Sequence, residues 1–160
     1  MNIVHICLVS LITLAISACS EPVSQTGNLS EGNEISGGSE FLQRNASRPG
    51  VLTTSTGLQY EVLVQGEGKS PSSSSTVVTH YTGTFIDGRV FDSSVERGVP
   101  ATFPVNGVIR GWTEALQMMK EGARWRLFIP PELGYGARGA GDRIPPDTVL
   151  IFEIELLEVK

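Results

Sequence analysis

Few residues in this chain have the types and spacing for bond chemistry. From residue 50 onward there is one histidine, His80, and no cysteine, because the two cysteines are Cys7 and Cys19. A lone histidine makes no metal pair, and the missing thiols exclude disulfides, thiolate metal sites and cysteine nucleophiles from that part. His80 reads as a packing or surface residue. Gly139-Ala140-Gly141 is too short for a phosphate loop, no serine stands in a nucleophile-elbow pattern, and the serines at 72–75 look like spacer. Hydrolytic, redox and metal chemistry are therefore poorly supported. What remains is aromatic: Tyr81, Phe91, Phe103, Trp112, Tyr135 and Phe152. A single buried ring would be core. Here Asp92 directly follows Phe91 at a strand end, and Tyr135 sits in a glycine-proline loop, where core residues are uncommon. The set points to an apolar pocket with Trp112 as its floor.

The elements that must position these rings follow from periodicity. Ile109, Trp112, Leu116 and Met119 recur at three- and four-residue steps, so a helix is expected over about 108–119, with Gly122 as its stop. Residues 76–86 alternate, placing Val77, Thr79, Tyr81, Gly83 and Phe85 on one face and His80 on the other. Asp87-Gly88 turns that run into 89–91. Further strands are expected at 51–54, 58–65, 101–105, 124–129 and 148–159, the last two also alternating. A long Gly/Pro loop covers 130–146. A lone amphipathic helix among strands must bury its stripe on a sheet. The expectation is an α+β domain, an antiparallel sheet of about five strands wrapped around one short α-helix.

The 160 residues suffice for one domain with an extension, and 18 glycines and 9 prolines suit a loop-rich β domain. Twelve basic against 17 acidic residues give a net charge of −5, which lacks the basic footprint of a nucleic-acid binder. Residues 3–16 are mostly apolar, too short for a comfortable membrane span and the right size for a secretory signal. They end in Ile16-Ser17-Ala18-Cys19, which resembles a bacterial lipobox, although the n-region has no Lys or Arg. Residues 1–18 are thus expected to be a lipoprotein signal. Cys19 would be lipidated and anchor the chain to the membrane, with the outer membrane favoured because Ser20, not aspartate, follows it. Residues 19–49 are polar and are expected to form a disordered tether spanning about 30 Å, with a short helix around 39–45 as an option. The folded domain is expected over 50–160.

Several motifs carry a family resemblance. His-Tyr-Thr-Gly (80–83), Gly-Arg-Val-Phe-Asp-Ser-Ser (88–94), Val-Ile-Arg-Gly-Trp (108–112), Tyr-Gly-Ala (135–137), Ile-Pro-Pro (144–146) and Leu-Ile-Phe-Glu-Ile-Glu-Leu-Leu (150–157) resemble FKBP-type peptidyl-prolyl isomerases, in order and with family spacing. The wording Ser-Val-Glu-Arg-Gly and Phe-Pro-Val-Asn-Gly-Val-Ile is most similar to the bacterial macrophage-infectivity-potentiator branch. The resemblance implies catalytic roles for Tyr81, Phe91, Asp92, Trp112, Tyr135 and Phe152. It implies substrate contacts from Arg97, Phe103, Val108, Ile109 and Ile144, with the Ile109 N–H and the Tyr135 hydroxyl as polar contacts. Ala101 stands where many members carry a rim aromatic, and Ala140 where some carry a histidine.

The same resemblance implies proline-containing polypeptide clients outside the cytoplasm, binding of macrolide inhibitors, and no cofactor or metal. The alternative is a non-catalytic peptide-binding chaperone or surface interaction module using the same groove. A monomer is expected.

Overall fold

The computed structural model describes residues 31–160. The signal-like segment, Cys19 and the first part of the expected tether lie outside the described residues. In chain order the elements are α1 (Glu31–Ala46), β1 (Val51–Thr53), β2 (Gln59–Val64), β3 (Thr76–Thr84), β4 (Val90–Ser93), α2 (Ser94–Arg97), β5 (Ala101–Pro104), α3 (Arg110–Met118), β6 (Arg124–Ile129) and β7 (Leu150–Val159). The strands form one antiparallel sheet of seven, ordered β1-β2-β6-β7-β3-β4. β5 pairs with the first half of β3, and β4 with the second half. The sheet thus exceeds the five or so strands expected, because the short runs at 51–53 and 90–93 pair as full members.

Strand alternation decides which side chains meet α3. Val77, Thr79 and Tyr81 on β3, Trp125, Leu127 and Ile129 on β6, and Phe152, Ile154 and Leu156 on β7 are buried on one face. Trp112, Ala115, Leu116 and Met119 pack against them. The helix is shorter than its expected 108–119, because Val108 and Ile109 are extended and lead into it. Gly122 sits beyond the helix with φ +87°, and its N–H donates to the Leu156 carbonyl at 2.7 Å. That left-handed turn favours glycine.

The opposite face corrects the expected tether. Residues 31–46 are helical, and α1 docks on the outer side of the sheet. Phe128 shares that side with Arg124 and Arg126, yet it is only 2% exposed, and its ring lies 6.1 Å from that of Phe41. The buried Asn45 donates from Nδ2 to Gln59 Oε1 at 2.7 Å, and Gln59 Nε2 donates to the Leu42 carbonyl at 2.9 Å. Arg48 donates to Asn45 Oδ1 at 2.8 Å and lies 5.7 Å over the Phe128 ring. Gly32, Gly37 and Gly38 make α1 a poor isolated helix, so these tertiary contacts hold it. Beside it, Arg48, Glu61, Arg126, Glu153 and Arg124 form a row of alternating charges, with successive N–O separations of 3.7, 3.3, 3.1 and 3.4 Å.

The loop after β6 has structure of its own. Two 3-10 turns, Pro131–Leu133 and Gly136–Arg138, are followed by a bridge in which the Ala140 N–H donates to the Ile144 carbonyl at 2.8 Å.

Candidate functional site

The inner face of the sheet, the entrance to α3 and the long loop converge on one cavity of about 460 Å³. Its floor is Trp112, in the first turn of α3 and 4% exposed. Three rings stand nearly perpendicular to the indole: Tyr81 at 5.2 Å and 82°, Phe152 at 5.2 Å and 86°, and Phe103 at 5.7 Å and 86° between centroids and planes. Edge-to-face packing of this kind adds about 0.5–1.5 kcal/mol per pair beyond area burial. Phe91 continues the wall at 88° to Phe152. It has no partner in β3, because Gly83 pairs with Asp92 and Thr84 with Val90, so Phe91 is the extra residue of a bulge. Gly83 makes room for both rings, since a Cβ there would meet Phe91 at 2.6 Å and Phe152 at 2.7 Å.

The polar side is built by Tyr81, Asp92 and Arg97. The Tyr81 hydroxyl donates to Asp92 Oδ2 at 2.5 Å. The Arg97 guanidinium donates to Asp92 Oδ1 and, at 3.0 Å, to the Tyr81 hydroxyl oxygen. Burial opposes ionisation of Asp92, but the hydrogen bonds from Tyr81 and Arg97 and the Arg97 charge outweigh it and hold the carboxyl below its usual range. Burial of the Tyr81 phenol, followed by its hydrogen bond to Asp92, pushes that group up, so it remains a neutral donor. Such a carboxylate is saturated with donors and poorly suited to take a proton.

Arg97 is brought in by α2. The Ser93 Oγ accepts the Glu96 N–H at 3.2 Å as an N-cap, and Gly98 closes the turn at φ +69°. The buried Ser94 hydroxyl accepts the Tyr81 N–H at 2.8 Å, tying this turn to β3. At the other end of the cavity, no acceptor for the Ile109 N–H occurs among the described residues. As the extended residue before α3 it is available to a bound carbonyl. Tyr135 is 40% exposed in the loop and lines the mouth.

The structure therefore gathers Tyr81, Phe91, Asp92, Phe103, Val108, Ile109, Trp112, Tyr135 and Phe152 around one cavity. Arg97 stands behind Asp92 and borders an adjoining depression. Ile144 is 4% exposed and is not part of the lining; its carbonyl braces the loop at Ala140 instead. Gly107 lines the cavity and escaped the sequence reading, although the Asn-Gly pair before the helix was its signal. The bridging role of Ser94 had no sequence signal beyond its place after a strand.

Comparison with known proteins decides the family. Residues 67–157 match the model of the FKBP-type peptidyl-prolyl cis-trans isomerase, and residues 15–62 match that of the domain amino-terminal to it. The chain belongs to the FKBP-type family. It is 57% identical over 122 residues to the FKBP-type 22 kDa peptidyl-prolyl cis-trans isomerase of Escherichia coli, covering 76% of this chain and 59% of that protein. It is 50% identical over 123 residues to the outer membrane protein MIP of Legionella longbeachae, covering 77% and 53%. The chain thus spans little more than half the length of these relatives. Among solved structures, FkpA from Escherichia coli superposes with a TM-score of 0.78 at 47% identity, over 81% of this chain and 60% of that one. A peptidyl-prolyl cis-trans isomerase from Pseudomonas syringae gives 0.76 at 39% identity, over 84% and 98%. In this FKBP-type chain the upstream family domain extends through α1 to β2, which agrees with α1 being docked rather than free.

Proposed function

We propose that the cavity is a peptidyl-prolyl isomerase site acting on X–Pro bonds of polypeptides outside the cytoplasm. The observation that carries this reading is the right-angled cage of Tyr81, Phe103 and Phe152 around Trp112, with a carboxylate rim on one side and the Ile109 N–H on the other. Rotation about an amide faces a barrier of about 18–20 kcal/mol because the C–N bond is partly double. The planar ground state is polarised, and the twisted state is less so. An aromatic cage disfavours the first more than the second, which is differential stabilisation of the transition state. The proline ring would rest on Trp112, the Ile109 N–H would hold a peptide carbonyl, and Tyr81 and Asp92 would orient the carbonyl that swings. No bond is broken and no proton changes owner.

The finer expectations join this proposal. Cys19 carries the lipid anchor, the clients are envelope polypeptides, and the protein works as a monomer that binds macrolides. Intact mass of the membrane-extracted protein tests the anchor, since a mature chain without acyl groups rules it out.

The activity is tested by cis–trans isomerisation of an X–Pro peptide with the full chain, with and without a macrolide. Fast turnover blocked by the macrolide is expected. A folded chain that binds the peptide without accelerating its rotation overturns the enzymatic reading in favour of a peptide-binding module.

A further inference from the structure

The single histidine among the described residues lies outside the cavity, on the outer face of β3, yet it joins the frame that holds the cavity wall. His80 Nδ1 is 3.0 Å from the Ser94 hydroxyl oxygen. That oxygen also accepts the Tyr81 N–H at 2.8 Å and lies 3.3 Å from the Tyr81 carbonyl. Ser94 is fully buried and opens α2, whose last residue is Arg97. Arg97 returns to the hydroxyl of the same tyrosine and to Asp92. A closed circuit results: Tyr81 main chain, Ser94, α2, Arg97, Tyr81 side chain. His80 touches it at Ser94.

The proton count on Ser94 gives this contact a consequence. A serine hydroxyl has one proton to donate and two lone pairs to receive. The Tyr81 N–H takes one lone pair. When the imidazole is neutral with Nδ1 as acceptor, the Ser94 proton goes to Nδ1, the nearer of its two acceptors. When the ring is protonated, Nδ1–H donates to the second lone pair, and the Ser94 proton turns to the Tyr81 carbonyl. The tie between α2 and the Tyr81 main chain is then double instead of single.

We infer that His80 is a positioning residue: through Ser94 it sets how firmly Tyr81, and with it Asp92 and Arg97, is held at the cavity. This rests on the isomerase reading of that cavity. The charged groups around the ring are Glu155, its cross-strand neighbour on β7, with Glu153, Arg124 and Arg126 lining the same shallow depression, to which α2 contributes only the apolar Val95. Arg124 and Arg126 both pair with Glu153. β5 pairs with β3 through Ala101 and Thr102 at this end and brings no titratable group.

Two measurements on the full chain test it. The first is kcat and KM for an X–Pro peptide in the parent chain and in His80→Asn and Ser94→Ala. Each variant is expected to lose about two- to tenfold, in kcat rather than KM. The double variant is expected to lose no more than Ser94→Ala alone, because His80 acts through Ser94. The second is the NMR shift of the Tyr81 amide, which is expected to move in His80→Asn. A Tyr81 amide that is unmoved by His80→Asn overturns the inference, as does a His80→Asn kcat equal to that of the parent chain. Absence of turnover in a folded parent chain would sink the isomerase reading separately, and the amide shift would still decide the coupling.

Discussion

Asn45 and Gln59 face each other across 2.7 Å in a place where they are only 2% and 6% exposed, and their hydrogen bond joins α1 to β2. Truncating Asn45 to Ala leaves the Gln59 carbonyl oxygen buried without its donor. Such a loss costs about 1–3 kcal/mol. Urea unfolding of Asn45→Ala is expected to show a lower midpoint with an unchanged slope. Equal stability of the two chains would mean that this hydrogen bond contributes nothing to holding α1 on the sheet.

Gly83 yields a second prediction. A methyl group at this position would overlap the Phe91 and Phe152 rings. Overpacking of this kind costs about 1–3 kcal/mol, and here both rings line the cavity into which they would be pushed. Gly83→Ala is therefore expected to weaken peptide binding, seen as a raised KM, along with a lower Tm. An unchanged KM would show that the rings retreat elsewhere.

Trp112 has both a packing and a floor role, so the choice of substitution matters. Trp112→Ala opens a cavity worth about 3–5 kcal/mol and risks the fold. Trp112→Leu keeps apolar volume and removes the flat floor. Turnover is expected to fall by about ten- to a hundredfold, equivalent to about 1.4–2.8 kcal/mol of transition-state binding, with the circular dichroism spectrum retained.

The pH dependence of the rim follows from the direction of the Asp92 shift. Its folded-state value lies below the ordinary 3.8, so the unfolded chain holds the proton more tightly. Asp92 thus contributes stability that is fully present above the ordinary value and is lost as pH falls through the lower one. Its share of both stability and turnover is expected to be constant through the neutral range. In Asp92→Asn the acid loss is expected to shrink, which stability measured between pH 2 and 5 would reveal. An unaltered acid limb would assign it to other carboxylates.

Much of the architecture is legible in alternation. The β6 run separates Trp125, Leu127 and Ile129 from Arg124, Arg126 and Phe128, and the structure buries the first set under α3. Phe128 is the residue that reading leaves unexplained: a large ring in a polar row. Its partner Phe41 lies 87 positions upstream in a stretch whose glycines and charges read as tether. Helix propensity is local, whereas the contacts that hold α1 are not. Most of the cavity was legible because Tyr81, Phe103, Trp112 and Phe152 come from strand and helix positions of fixed parity, whereas Phe91 and Tyr135 stood out by the neighbouring Asp92 and the glycine-proline loop. The circuit through Ser94 was not, since two adjacent serines do not announce which of them caps α2 and which reaches back to Tyr81.

The docking of α1 also sets how force enters the domain. A pull on the upstream chain is delivered through Phe41, Leu42 and Asn45 to Phe128 and Gln59, and so into β6 and β2. The rim groups and most of the cage belong to β3, β4 and β5, on the other side of β7 in the sheet. Tension in the arm would thus enter the sheet at β2 and β6, on the far side of β7 from Tyr81, Asp92 and Phe103, and Gly38 against Val149 would pass part of it to the start of β7.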